Sequence, residues 1–265
     1  RRQRQMCIRD RFVIGGVFGL ISIYLRRFLQ ETPVFKKMRE SKALAKFPLE
    51  EVVKTSRFGI WISMFITWVL TGCIVVFILL MPGFVGSVLG FSPFETTYFQ
   101  MGGLVCIVSS CWLTGRLADK HNPSTLCILF SAGFAVSSVA FFSLLYTAAP
   151  VVSEVVLAYF ATCFFAGIMN FCPIFMCDVF PARIRFSGIS FAYNIAYALS
   201  GAFTPQLSFA LHAYAKTHPD TLGAMGLSAY IVFLALVSIG TALAMRRVYK
   251  NGGAAVSQME FRPAP

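Results

Sequence analysis

Long runs of apolar residues, separated by short polar segments, dominate this chain. An α-helix needs about 20 apolar residues to cross a hydrocarbon core about 30 Å thick. Backbone amides in lipid must be paired within their own segment, so these runs are predicted to be helices rather than strands. Six runs are long enough: residues 58–81, 96–115, 125–146, 155–177, 187–211 and 224–245. The pattern predicts an all-α membrane protein with a six-helix membrane bundle over residues 58–245.

A seventh apolar run, residues 12–25, is too short to cross a bilayer. Its 14 residues would extend about 21 Å at 1.5 Å per residue, so we predict a partial transmembrane helix. Residues 1–11 carry five arginines and are not followed by the small-residue cleavage site of a signal sequence. We predict an atypical N-terminal segment there, and we expect the chain to begin inside a longer protein.

The basic residues are distributed unevenly between the two sides of the bundle. Charged residues make up 13% of the chain and the net charge is +12, which alone would be compatible with nucleic acid. Seventeen of the 23 Lys and Arg residues lie in alternate connections, namely 26–57, 116–124, 178–186 and the tail 246–265. The opposite connections hold Lys216 alone. Because basic loops stay in the cytoplasm, we predict a plasma (inner) membrane protein with a cytoplasmic C-terminus and no nucleic-acid partner.

The residue types that bind metals or drive catalysis are dispersed. Most of the eight cysteines lie in or beside predicted helices, where they act as small apolar residues. The three histidines are scattered over loops and a helix end. No Asp, Glu, Lys or Arg lies in the middle of a complete span, although ion-coupled transport usually uses a titratable group there. We predict no enzyme activity, no metal site and no cofactor.

Polar side chains recur every three or four residues along four predicted helices and so share one face of each helix. Small and hydroxyl residues in such stripes usually make contacts between membrane helices, and we favour that role for most serines and threonines. A carboxamide is costly in lipid and needs a partner or water, so packing and a solute cavity stay equally open for the amides. The candidates for a substrate cavity are Gln100, Asn170, Asn194, Tyr197, Trp61 and Thr67.

Two connections place charged residues beside helix ends. The carboxylate of Asp119 could accept from unpaired N–H groups at the start of a neighbouring helix. Gly188 allows the next helix to begin in close contact with its neighbours. Enforcing the topology is an alternative role for these charges. We take as a candidate cytoplasmic gating motif Asp119, Arg116, Asp178, Arg183, Arg185 and Gly188.

These segments resemble the major facilitator superfamily, specifically its metabolite:proton symporter branch of osmolyte, shikimate and α-ketoglutarate permeases. The run Phe180-Pro-Ala-Arg-Ile-Arg-Phe-Ser-Gly188 followed by Ser190-Phe-Ala-Tyr-Asn194 is similar to that branch's junction of helices ten and eleven. Residues 25–35 resemble its exit from helix six, and Gly115-Arg-Leu-Ala-Asp119-Lys120 resembles its loop between helices eight and nine. The family's loop continues with glycine and basic residues, whereas residues 121–124 here read His-Asn-Pro-Ser, which puts the gating role of this loop in question. The resemblance covers roughly residues 12 to 250, the C-terminal half of such a transporter.

The resemblance implies a secondary active transporter that moves a small organic acid or a zwitterionic osmolyte together with protons. Two six-helix halves of such a transporter face each other across a central site, and helices one to five are absent from this sequence. We therefore expect a half that does not transport alone. Its partners would be the solute, protons, the lipid bilayer and either the missing half or a second copy. The alternatives are a half-transporter that acts as a homodimer and a non-transporting membrane scaffold that uses the 26–57 loop.

Overall fold

The computed structural model describes Val13, residues 15–25, Phe28 and residues 48–147, 149–218 and 221–250. These residues fall in two compact units, one containing residues 13–28 and the other residues 48–250. The predicted segment 1–11, most of the 26–57 connection and the tail from residue 251 lie outside the described residues.

The first unit contains helix α1, Gly15–Leu25, within the described part of the chain. At 1.5 Å per residue, α1 extends about 16 Å. A hydrocarbon core is about 30 Å thick, so the described part of the predicted partial helix is too short to cross it.

The second unit is a helical bundle. Its helices are α2 (Pro48–Thr55), α3 (Arg57–Leu89), α4 (Pro93–Ala118), α5 (Pro123–Leu145), α6 (Val152–Val179), α7 (Ala182–Thr217) and α8 (Thr221–Lys250). Five of them are long and apolar enough to cross a membrane by length and composition: α3, α4, α5, α6 and the Met225–Lys250 part of α8. The prediction of an all-α membrane protein is confirmed.

Helix α7 has the length of a membrane span but is not among these five. Its 36 residues extend about 54 Å. Small and polar residues lower its hydropathy and also allow close approach of neighbouring helices. They form a buried line along the helix at Gly188, Ala192, Ala196, Ser200, Thr204, Ser208 and His212. The membrane span at residues 187–211 stays a prediction.

Local hydrogen bonds fix where two of the helices begin. At the start of α4, the Ser92 hydroxyl accepts from the Glu95 N–H at 3.3 Å, and the Glu95 carboxylate accepts from the Ser92 N–H at 2.7 Å. This reciprocal pair is a capping box. At the start of α5, the Asn122 side-chain oxygen accepts from the Ser124 N–H at 2.9 Å. Residues 121–124, which read His-Asn-Pro-Ser, therefore act as a helix start.

Helix α3 continues past the point where the sequence predicted its end. Its α-helical part Arg57–Cys73 passes into a π-helix at Ile74–Leu80 and returns to an α-helix at Met81–Leu89. The predicted span ended at residue 81, directly before Pro82. Pro82 lies in the first turn of the last α-helical segment, and side chains of α4 and α6 donate to the Ile78 and Phe77 carbonyls that precede it.

Helix α6 also changes its winding, through a 3₁₀ turn at Ala166–Asn170. Gly167 in this turn packs directly on α4, and a Cβ added to it would collide with the Ser110 hydroxyl. The tighter winding of α6 therefore coincides with a close contact to α4.

Helices α3 and α6 occupy the centre of the bundle. Helix α3 packs against α6, α7 and α8, whereas α6 packs against α4 and α5, and α5 lies along α8. The core between them is aromatic, with fully buried side chains at Phe77, Phe134 and Tyr159. The ring centroids of Phe77 and Phe134 lie 5.4 Å apart in an edge-to-face arrangement, which is a favoured geometry for aromatic pairs.

Candidate functional site

The junction segment, residues 178–188, connects α6 to α7 and is built around Phe180. The Phe180 ring is fully buried. A Cβ added at Gly59 of α3 would lie 2.9 Å from this ring, and one added at Gly188 of α7 would lie 2.7 Å from it. The ring therefore occupies a slot between two glycines, and the close contact expected at Gly188 is made to Phe180.

Helix α2 covers this junction. Its Val52 side chain is fully buried in a cluster with Phe180 and Ile184. Beside this contact, Arg183 Nη2 lies 3.0 Å from Glu51 Oε2 in an ion pair that is partly exposed. Helix α2, which directly precedes α3, therefore packs against the junction segment and the start of α7.

Helix α2 lies within residues 26–57, which we predicted to be a loop. A signal for it was present, because Pro48 opens the segment, Glu50 and Glu51 lie in its first turn and Lys54 lies in its last. That charge order favours a helix, since acidic residues stabilise the N-terminal turn and basic residues the C-terminal turn.

Three of the four remaining charges in the candidate gating motif have separate partners. Asp178 accepts a hydrogen bond from the Tyr249 hydroxyl at 2.5 Å, and Arg185 Nε donates to the Phe180 carbonyl at 3.1 Å. At the end of α4, the Arg116 guanidinium lies 3.9 Å from the centroid of the Trp112 ring. The Asp119 side chain is exposed and makes no hydrogen bond or ion pair within the described ranges. The structure therefore gathers Asp178, Arg183, Arg185 and Gly188 at the junction without an ion pair to Asp119.

Gln100, a cavity candidate, instead compensates for a proline. Pro82 has no backbone N–H to donate. In a π-helix, that N–H would bond the carbonyl five residues earlier, Phe77 O, and in an α-helix the carbonyl four residues earlier, Ile78 O. The Gln100 side-chain amide donates to Ile78 O at 2.9 Å. The Tyr159 hydroxyl donates to Phe77 O at 2.9 Å. The carboxamide of Gln100 therefore has its partner in the backbone of α3, and the Tyr159 hydroxyl plays the same role.

Two further cavity candidates lie in contacts between helices. Asn170 of α6 donates from its side-chain amide to Cys111 O and Thr114 Oγ1 of α4, both at 3.3 Å. Thr67 is fully buried, and its hydroxyl lies 3.8 Å from Cys172 Sγ of α6. Both side chains connect α6 to its neighbours.

The polar stripe predicted on α7 is buried at one end and exposed at the other. The buried residues of α7 recur every four residues, and each such step turns about 40° beyond a full helical turn. The predicted stripe follows the helical period itself, with members at Ser190, Asn194, Tyr197, Gly201, Thr204 and Ser208. It therefore coincides with the buried line at Thr204 and Ser208 and diverges from it towards the junction. Asn194 and Tyr197 are exposed as a result.

Trp61, Asn194 and Tyr197 are the exposed members of the six cavity candidates. The exposed fraction is 58% for Trp61 and 40% for Tyr197. The Asn194 side-chain amide donates to Ser190 O at 2.7 Å, which leaves its second N–H and its oxygen available because a carboxamide has two donors and an acceptor.

The depth of these residues follows from ring contacts between α3 and α7. Trp68 packs on Phe203, with 6.1 Å between ring centroids. Trp61 precedes Trp68 by seven residues, and Tyr197 precedes Phe203 by six. The two helices run in the same direction, because Phe84, later in α3, contacts Phe209, later in α7. At about 1.5 Å per residue, Trp61 and Tyr197 lie at nearly the same depth in the bundle.

The bundle, its apolar spans and its aromatic core define an all-helical, multi-pass membrane protein. The family model described as Major Facilitator Superfamily matches residues 11–205. The chain belongs to this superfamily.

The chain is also similar to individual proteins named as transporters. It is 27% identical over 230 residues to the inner membrane metabolite transport protein YhjE of Escherichia coli (strain K12), covering 82% of this chain and 49% of that protein. It is 22% identical over 197 residues to a putative proline/betaine transporter of Staphylococcus haemolyticus (strain JCSC1435), covering 73% and 41%. The chain spans about half the length of the curated relatives it matches. No solved structure matches it.

Proposed function

We propose that this chain is the C-terminal half of a secondary active transporter in the plasma (inner) membrane, with its C-terminus in the cytoplasm. The proposed activity is symport of protons with a small organic acid or a zwitterionic osmolyte. The observation that carries the proposal is the superfamily match over residues 11–205, combined with coverage of 49% of a metabolite transport protein. The printed names of the relatives, metabolite and proline/betaine transport, support the class of solute.

In this proposal, the exposed side chains of α3 and α7 form one wall of the solute site. The ring face of Trp61 would attract the cationic group of a zwitterion. The free amide N–H of Asn194 and the hydroxyl of Tyr197 would donate to its carboxylate, and hydrogen bonds to a charged group are worth about 1.5–3 kcal/mol each. The opposing half would form the other wall and contribute titratable groups for proton coupling, because two halves enclose the central site in this fold.

Uptake into liposomes tests the proposal. We expect the purified chain alone to show no accumulation of radiolabelled proline, betaine, shikimate or α-ketoglutarate under an imposed pH gradient. We expect accumulation of at least one solute when the chain is reconstituted together with the polypeptide encoded immediately upstream of it. Accumulation by the chain alone would contradict the half-transporter assignment and favour a homodimer. Absence of uptake in both preparations, with both polypeptides folded, would contradict the transport function.

A pair of tyrosine variants tests the proposed wall in the preparation that transports. Tyr197→Phe removes the hydroxyl from that wall and is expected to raise KM by about tenfold. Tyr214→Phe is the matched control, because Tyr214 is also exposed on α7 but lies near its far end and stacks on His218. Equal KM values for the two variants would remove Tyr197 from the solute site.

A further inference from the structure

His212 joins three helices at the end of the bundle away from the junction segment. It lies on the buried line of α7 and is 9% exposed. Its Nδ1 is 2.6 Å from the hydroxyl of Tyr146, the residue after α5, and its Nε2 is 3.2 Å from Ser87 Oγ in the last turn of α3. Its ring stacks on Phe84 with 4.0 Å between centroids. We call His212, Tyr146, Ser87 and Phe84 the far-end cluster.

The hydrogen bonds of the far-end cluster determine which ring nitrogen of His212 carries the proton. Ser87 Oγ donates to Phe84 O at 2.8 Å. A hydroxyl has a single proton, so Ser87 accepts from His212 and the proton lies on Nε2. Nδ1 is then an acceptor and receives the hydroxyl proton of Tyr146. A neutral imidazole therefore satisfies every polar atom of the cluster.

The cluster holds the segment Met81–Leu89, which is weakly tied to the rest of α3. This segment follows the π-helix at Ile74–Leu80 and contains Pro82, so the regular backbone ladder of α3 is interrupted before it. Interrupted ladders of this kind are frequent at sites that move or bind. At its other end, the segment is held by the far-end cluster and by Lys216 Nζ, which donates to Ser87 O at 3.3 Å.

We propose that Met81–Leu89 is a movable gate segment and that the far-end cluster is its proton-sensitive latch. Neutral His212 holds the segment against α5 and α7, and a proton on His212 releases it. A proton on Nδ1 turns the acceptor into a donor that faces the hydroxyl proton of Tyr146. The Tyr146 oxygen accepts from that N–H only if its own hydroxyl proton turns away, and that proton has no other acceptor among the residues that the structure describes.

The charges around His212 also favour the neutral form of its ring. Lys216 lies four residues later on the same helix face, so its positive charge opposes a second one on His212. His218, the next histidine, stacks on Tyr214 and bonds Thr217 instead. The neighbouring segments 81–90, 139–147 and 221–231 contain no Asp, Glu, Lys, Arg or His, and Asp220 lies outside the described residues.

The latch can be tested on the purified chain without a transport assay, so its failure is separate from failure of the proposed function. Backbone hydrogen exchange of residues 81–89 is measured for the wild type and His212→Gln in detergent micelles, at about pH 8 and about pH 5.5. Glutamine keeps an amide donor near the Nε2 position and takes up no proton. Once the segment is released, His212 is expected to behave as an ordinary imidazole, with a pKa of about 6.5, and to be about nine-tenths charged at pH 5.5. We therefore expect the wild type to lose about tenfold in protection relative to His212→Gln at the lower pH, and to match it at the higher pH.

Two further variants make the outcome decisive. His218→Gln is the matched control and should keep the wild-type pH response. Lys216→Gln removes the opposing charge from an exposed position, so the pH-dependent loss of protection should shrink to about threefold. Equal protection of wild type and His212→Gln at both pH values would overturn the latch. Loss of protection in every helix of His212→Gln would show that this variant does not fold. In that case, a pH response of Lys216→Gln equal to that of the wild type would overturn the latch.

Discussion

The partly buried amides Gln100 and Asn170 serve contacts between helices. Asn170 bonds the backbone of α4, and Gln100 bonds the backbone of α3. In lipid, each backbone carbonyl without an N–H partner needs another donor. The Gln100 amide supplies a donor to Ile78 O, and the Asn170 amide adds a donor to Cys111 O. Phe180 shows the complementary case, in which a large ring is accommodated because Gly59 and Gly188 have no side chain.

Substitution of Gly188 tests the slot for Phe180. Gly188→Ala places a Cβ about 2.7 Å from the ring and should lower the free energy of unfolding by about 1–3 kcal/mol through overpacking. Gly201→Ala is the control on the same helix, with no atom within 4 Å of the added Cβ. It should leave stability unchanged or raise it by up to about 1 kcal/mol. Unfolding of both variants in detergent micelles measures the difference, and equal shifts would contradict the slot.

The sequence was sufficient to show which residues needed a partner but not which partner each would take. An amide in a predicted span must be satisfied, and this follows from its chemistry alone. The partner of Gln100 is Ile78 O, 22 residues away, and that carbonyl is available only because Pro82 follows it in a helix that does not end there. Such a pairing depends on how α3 and α4 pack, which the order of residues does not state.

At the level of elements, the apolar runs located the long helices well and their ends poorly. Helix α7 begins at Ala182 and ends at Thr217, beyond the predicted span 187–211, because backbone hydrogen bonding can continue a helix past the point where the apolar run ends. Helix α2 was missed since its apolar face covers only one or two turns. Its buried contact with the junction segment nevertheless makes it part of the bundle.

Neighbouring valines of α2 provide a matched test of its docking. Val52 is fully buried, whereas Val53 is 43% exposed. Val52→Asp would bury an unpaired carboxylate against Phe180 and Ile184, so α2 should detach and trypsin should cleave after Lys54 at least about tenfold faster. Val53→Asp should leave the cleavage rate near that of the wild type. Equal cleavage of the two variants would show that α2 is not held by Val52.

At the level of the whole molecule, the described bundle leaves large apolar side chains uncovered. Helix α4 shows this most clearly, with exposed fractions of 72% at Tyr98, 66% at Val105 and 58% at Trp112. Exposed apolar surface of this extent needs lipid or another protein surface to cover it. Both are available to a multi-pass membrane protein of this superfamily.

Cysteine labelling measures the predicted orientation of the bundle. Lys120 lies between α4 and α5, and Lys216 lies near the end of α7, with both side chains exposed. In a chain with Cys7 and Cys177 replaced by Ser, Lys120→Cys should react with a membrane-impermeant maleimide only from the cytoplasmic side. Lys216→Cys should react only from the opposite side, because basic connections stay in the cytoplasm. Labelling of both from one side would contradict the topology.

The interruption at Pro82 also has a consequence for biosynthesis. Helix α3 is synthesised and inserted before α4 and α6, which carry the donors for its Ile78 and Phe77 carbonyls. Until those helices arrive, α3 cannot complete its own hydrogen bonding in lipid. The final conformation of α3 therefore forms late, after Gln100 and then Tyr159 have been synthesised. Helix α3 is an early span whose folding is completed only when α4 and α6 are present.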